Sequence, residues 1–239
     1  MTSASETRSA PATEVAASSS TRRLVGFAAI ALTVVIAVCA GMLIGNRLAG
    51  DHPGRDSVEA GFARDMQVHH AQAVEMSYAV TVATDDEQVR QIAFDILTSQ
   101  QGQIGRMAGW LDDWELSPHS AEPVMAWMDR DAADGHDMDG MDHSDDSNST
   151  SADDAVLMPG MATDAEMQQL RQSTGRKAEI LFLQLMVDHH RGGVDMAAYA
   201  AEHASDDEVA SIADRIATGQ AAEITAMNDM LVERGAEPV

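Results

Sequence analysis

Two stretches of the chain set adjacent histidines inside a methionine frame: Met66-x-x-His69-His70-x-x-x-x-x-Met76 and Met186-x-x-His189-His190-x-x-x-x-x-Met196. Residues three, four and seven apart share one face of a helix. Met66, His69, His70, Ala73 and Met76 therefore form one stripe, and Met186, His189, His190, Gly193 and Met196 form its counterpart. Imidazole suits copper, zinc, iron and nickel, whereas a thioether is soft and neutral, and the two together point to copper, Cu(I) above all. Thioethers also escape the disulfide chemistry that consumes thiolates outside the cell. A methionine stripe alone is more often core packing, so the paired histidines weigh more than the methionines. Ala73 and Gly193 leave room where the stripes would face each other, and up to four imidazoles and four thioethers are expected to converge there. Zinc at the same histidines is the weaker alternative and leaves the methionines unused.

Further donors surround these stripes. Gln100 and Gln220 interrupt apolar runs at matching positions, and a buried amide needs a partner. A ring N–H of a metal-binding histidine is the expected one. Glu75 and Asp195 also match and are read as carboxylates flanking the site. A second cluster, His136-Asp-Met138-Asp-Gly-Met141-Asp-His143, lies in an acidic tract that can wrap an ion without being preorganised for it. His52, His119 and His203 stand alone and are expected at the surface.

The elements that must position these residues follow from an internal correspondence. Phe62 and Phe182, Met66 and Met186, both histidine pairs, Val74 and Val194, and Met76 and Met196 are all 120 positions apart. The same offset joins Val89 to Val209, Ile96 to Ile216, Gln100 to Gln220, Met107 to Met227 and Leu111 to Leu231. We read this as a duplication. Each copy is predicted to be two helices, the second restarted by a capping box at Thr84-x-x-Glu87 or Ser205-x-x-Glu208. Apolar positions 89, 92, 96, 104, 107 and 111 follow the spacing of an amphipathic stripe. Two hairpins with one apolar face each predict an all-α four-helix bundle, with hairpins over 56–116 and 175–235 forming one domain. Between them, 117–174 is an acidic connector. Residues 112–166 hold sixteen acidic residues against one basic, Arg130, and the centre of the connector is expected to be disordered without a ligand. Thr163-x-x-Glu166 predicts a short helix that Gly175 ends.

Composition narrows the function. The 239 residues carry 15 Lys and Arg against 39 Asp and Glu, a formal net charge of −24. Such a surface repels the phosphate backbone and argues against nucleic-acid partners. Hydrophobic residues make up 45% but aromatics only 4%, with 16 Met and one Cys, a mix that favours helices over sheets. Residues 24–44 run without a charge, about 31 Å at ~1.5 Å per residue, the thickness of a bilayer core. With Arg22 and Arg23 before it and the acidic remainder after it, this span predicts a single-pass anchor. Residues 1–23 then form a cytoplasmic tail, 45–55 a linker, and the bundle is extracytoplasmic. A cleaved secretory signal ending near Val38 and Ala40 is the alternative and exports the domain equally. Cys39 is expected as a buried apolar thiol.

On the two Met/His-His/Met segments, on Met158-Pro-Gly-Met161 and on Gln220-x-x-Glu223-Ile224-x-x-Met227, the sequence resembles the family called domain of unknown function 305, over about residues 56–234. The resemblance implies a ferritin-like four-helix bundle and copper handling outside the cytoplasm. Two departures mark the halves as inequivalent: Gln103 stands opposite Glu223, and Gln72-Ala73 opposite Gly192-Gly193. A ferritin-type di-iron site needs Glu and Glu-x-x-His from its helices; Gln-x-x-Gln and Gln-x-x-Glu stand there instead. With no nucleophile beside a base and no phosphate loop, the sequence predicts a copper-sequestering or copper-transferring protein and not an enzyme. A homo-oligomer or a metal-transfer partner is compatible with this reading. The alternative is a metal-free helical adaptor or sensor in the envelope.

Overall fold

The structure, a computed structural model, describes residues 32–41, 52–128 and 158–239. All six helices among them are α-helical and no strand occurs among the described residues. Helix α1 covers 32–41, and its residues, Cys39 included, are exposed. Among the described residues no helix is long and apolar enough to cross a membrane. The remainder of the expected span, 24–31 and 42–44, lies outside the described residues, as does the tail 1–23.

Residues Pro53–Val239 form a separate compact unit. It holds α2 (Val58–Ala83), α3 (Glu87–Asp113), the short α4 (Asp164–Gln172), α5 (Gly175–His203) and α6 (Asp207–Glu233). Helix α2 packs on α3 and α5 on α6, the two hairpins meet through α2 and α5, and α4 lies against both central helices.

Local chemistry sets the helix ends. The Ser57 hydroxyl accepts from Ala60 N and opens α2. The boxes expected at Thr84 and Ser205 do not form. Asp86 and Asp206 cap α3 and α6 instead, their carboxylates accepting from Val89 N and from Glu208 N and Val209 N. A carboxylate caps at least as well as a hydroxyl and complements the helix dipole. Thr84 is drawn away, its hydroxyl donating to Glu179 Oε1 at 2.6 Å. At Thr163 the capping box is complete, with Glu166 returning to the Thr163 backbone. Ser173, and not Gly175, closes α4; Gly175, at φ +54°, is the first residue of α5.

The apolar stripes bury two clusters. One holds Met76, Val80, Val89, Ile96, Phe182, Met186, Met227 and Leu231; the other holds Phe62, Met66, Met107, Leu111, Met196, Val209 and Ile216. Burying each phenylalanine fully contributes about 1.5–3 kcal/mol. Along α2 and α5 the clusters are separated by His69-His70 and His189-His190, and along α3 and α6 by Gln100 and Gln220. The bundle is thus apolar at both ends and polar across its middle. Helices α2 and α5 run antiparallel through this layer, so Met66 shares a cluster with Met196, and Met76 with Met186.

Candidate metal centre

All four paired histidines are fully buried, at 0% exposure. The rings of His69 and His189 lie at the centre, centroids 3.8 Å apart. His70 is 6.5 Å from His69 and His190 is 6.2 Å from His189. Each Nε2 faces an oxygen: His69 faces Pro159 O at 3.2 Å, His70 faces Gln103 Oε1 at 2.6 Å, His189 faces His69 O at 2.9 Å, and His190 faces Glu223 Oε2 at 2.7 Å. Backbone carbonyls and carboxylates only accept, and the Gln103 carboxamide presents its oxygen, so every Nε2 carries the proton. The consequence falls on the other nitrogen. All four Nδ1 atoms hold bare lone pairs, buried and without a hydrogen-bond partner.

Electrostatics keep the rings of His69, His70 and His189 neutral. Burial pushes His69 down to about 4, with the nearby His190 adding to the effect and the Pro159 carbonyl opposing it. Burial likewise takes His70 to about 3, helped by His69 and His190 and opposed by Gln103. His189 lies well below its ordinary value through burial and then its three neighbours. A neutral imidazole with a free lone pair is the form that ligates metals.

A turn covers the layer. Met158-Pro159-Gly160-Met161 places Pro159 O on His69, with Gly160 at φ +75° against the Asp188 carbonyl. A Cβ at Gly192 would strike Pro159 O, which explains the glycine there. Opposite it, Gln72 clamps the same turn, accepting from Ala162 N at 2.7 Å and donating to Ala162 O at 2.8 Å. The departure noted between Gln72 and Gly192 is therefore one docking surface seen from its two sides.

Several expected placements differ. Gln103 and Glu223, and not Gln100 and Gln220, take the outer histidine N–H groups, because they lie one helical turn further on. The carboxamides of Gln100 and Gln220 are buried in the same layer with no hydrogen-bond partner. The space at Gly193 is taken by Gln220, whose carboxamide a Cβ would meet, and so does not open toward α2. Met66, Met76, Met186 and Met196 are all fully buried, but two lie in each apolar cluster instead of all four joining one group. Glu75 turns outward to Arg171 at 2.7 Å, and Asp195 is exposed. Among the described residues no three His, Cys, Asp or Glu are arranged to hold one ion, so the imidazoles alone are not a finished cage. His136, Met138, Met141 and His143 lie outside the described residues. His52 and His119 are exposed, while His203 is half-buried and stacks on Tyr199 at 4.0 Å.

Sequence reading missed three buried carboxylates, Glu59, Asp65 and Glu179. Glu59 accepts from Ser205 N and Asp206 N, and Glu179 holds Thr84 and Arg234. Asp65 receives the Trp127 indole N–H and Met125 N, both at 2.8 Å, and burial raises its carboxyl above the usual range against those two bonds. The signal available for the first two was their own 120-residue spacing. The Trp127 ring stands where a Cβ on Gly61 would be.

No curated protein matches the chain. A candidate secreted protein of Streptomyces coelicolor is 44% identical, with a TM-score of 0.65 over 78% of this chain and 99% of its own. A fragment from Deinococcus radiodurans is 28% identical, with a TM-score of 0.55 over 74% and 96%. CopM, solved in a Cu(II)-bound form, is 22% identical with a TM-score of 0.50 over 74% and 97%, a likeness of fold. The first two are also proteins of one family, whose description, Domain of unknown function (DUF305), matches residues 59–231 here. With most of the bundle inside that match, the chain belongs to the DUF305 family.

Proposed function

We propose that this protein binds copper outside the cytoplasm and sequesters it or passes it on, acting as a binder and not as an enzyme. The observation that carries the reading is the set of four buried imidazole Nδ1 lone pairs in a layer closed by apolar clusters. A buried polar atom left unsatisfied costs about 1–3 kcal/mol, and a soft cation would give such lone pairs a partner. His69, His70, His189 and His190 would supply nitrogen, and Met66, Met76, Met186 and Met196 thioether sulfur from the adjoining clusters. Copper would supply Lewis acidity and polarisability that the side chains lack. The acidic tract with His136, Met138, Met141 and His143 is proposed as a collector on the same chain. Residues 24–44 are proposed as the membrane anchor, and the Streptomyces coelicolor relative, a candidate secreted protein, supports an extracytoplasmic bundle. CopM, which shares the fold, has been solved with Cu(I) and with Cu(II).

Anaerobic Cu(I) titration of the full chain, purified without a polyhistidine tag, tests this against a variant with the four paired histidines changed to Ala. Wild type should bind tightly and melt higher with copper, and the variant should lose both effects. Unchanged stoichiometry in the variant would sink the proposal. One observation favours the metal-free adaptor: Tyr78, Val82 and Phe94 are exposed where the second half has Ala198, Glu202 and Asp214. Absence of copper binding by wild type would put that reading first.

A further inference from the structure

Glu223 stands out once the two ends of the histidine layer are laid over each other. His70 to Gln103 and His190 to Glu223 are the same contact, each spanning 33 residues, at 2.6 and 2.7 Å. Both imidazoles are fully buried and both Nδ1 atoms are bare. The acceptor's charge is the difference. A carboxylate drawing on the Nε2–H makes the ring a stronger, more anionic donor at Nδ1, whereas a neutral carboxamide does so weakly. Bringing a divalent ion into a low-dielectric layer is far costlier than bringing a monovalent one unless a negative charge accompanies it. Glu223 supplies that charge from a side chain 29% exposed. Its hydrogen-bond partner in the layer is His190.

We propose that Glu223 determines the ion preference of the centre: the His190 end favours Cu(II), and the His70 end, backed by Gln103, favours Cu(I). The inference rests on the copper reading above and assigns a specificity residue within it. Gln at 223 is sterically credible because Gln103 already makes the same contact in the first half.

Separate titrations of the full chain with Cu(II) and, anaerobically, with Cu(I) test the assignment in wild type, Glu223→Gln and Gln103→Glu. Losing such a supporting partner weakens metal binding roughly 10–100-fold, and Glu223→Gln should show that loss for Cu(II) with Cu(I) affinity nearly unchanged. Gln103→Glu should move the ratio the other way. A merely structural role would weaken both ions together, and that result, or an unchanged ratio in both variants, overturns the proposal. If wild type takes up neither ion, the copper reading itself falls; if wild type binds and only the ratio stays fixed, the assignment of Glu223 alone falls. Should Glu223→Gln melt markedly lower, Gln103→Glu decides.

Discussion

Both hairpins bury a glutamate at the start of their first helix and aim it at the other hairpin's turn, yet they neutralise it differently. In the first half Glu59 meets two backbone N–H groups of Ser205 and Asp206. In the second, Glu179 meets the Thr84 hydroxyl and Arg234, which also reaches Asp86 at 2.8 Å. The position matching Arg234 is Trp114, stacked on Trp110. The centre repeats the pattern, with Gln103 set against Glu223 and Gln72 against Gly192. Positions 120 apart thus carry different charge and bulk, and the two sides of the histidine layer are electrostatically distinct.

The largest effect that would sharpen this comparison is acid sensitivity. His69 and His70 ionise near 4 and 3 in the folded protein and near 6.5 when unfolded. The unfolded chain therefore binds more protons between these values, and stability present above pH 6.5 is lost as pH falls toward 4. Each unit of separation is worth about 1.4 kcal/mol, so melts across pH 7 to 4 should fall steeply without metal. His70→Gln should flatten that fall; an equal slope would show that the first-half pair does not control it.

Next in size is Arg234→Ala, which leaves Glu179 buried beside no cation and should cost about 3–5 kcal/mol in denaturant unfolding. Glu59→Gln should cost much less, because its partners are neutral N–H groups. Equal losses would break the contrast between the halves. Smaller again is the docking of the covering turn. Gly192→Ala forces Pro159 away and should cost about 1–3 kcal/mol, while Gln72→Ala removes two hydrogen bonds at about 0.5–1.5 kcal/mol each. Proteolysis near Gly160 should quicken in both variants, and a change in neither would mean that the turn is held elsewhere.

How much was legible follows from the range of each interaction. Helix periodicity and the 120-residue correspondence are local or repetitive, so the four long helices and the polar layer between apolar ends could be read directly. Thr163 could be read as a cap because nothing competes for it. Thr84 could not, because Glu179, 95 residues away, takes its hydroxyl. Gln100 and Gln220 looked like the histidine partners because they break the apolar stripe, but which side chain reaches a ring one helix away depends on the crossing of α2 with α3 and of α5 with α6.

The amino-acid sequence by itself therefore determined the helices, their apolar faces and the histidine pairs at the middle of the bundle, since spacing along a helix dictates which residues share a face. Tertiary structure alone decided that α2 and α5 run antiparallel, dividing the methionines between two clusters. It also decided that Pro159 O, Gln103, His69 O and Glu223 accept from the four Nε2–H groups and leave four Nδ1 atoms without a hydrogen-bond partner. Those outcomes depend on contacts between segments far apart in sequence, where a shift of one helical turn exchanges one acceptor for another.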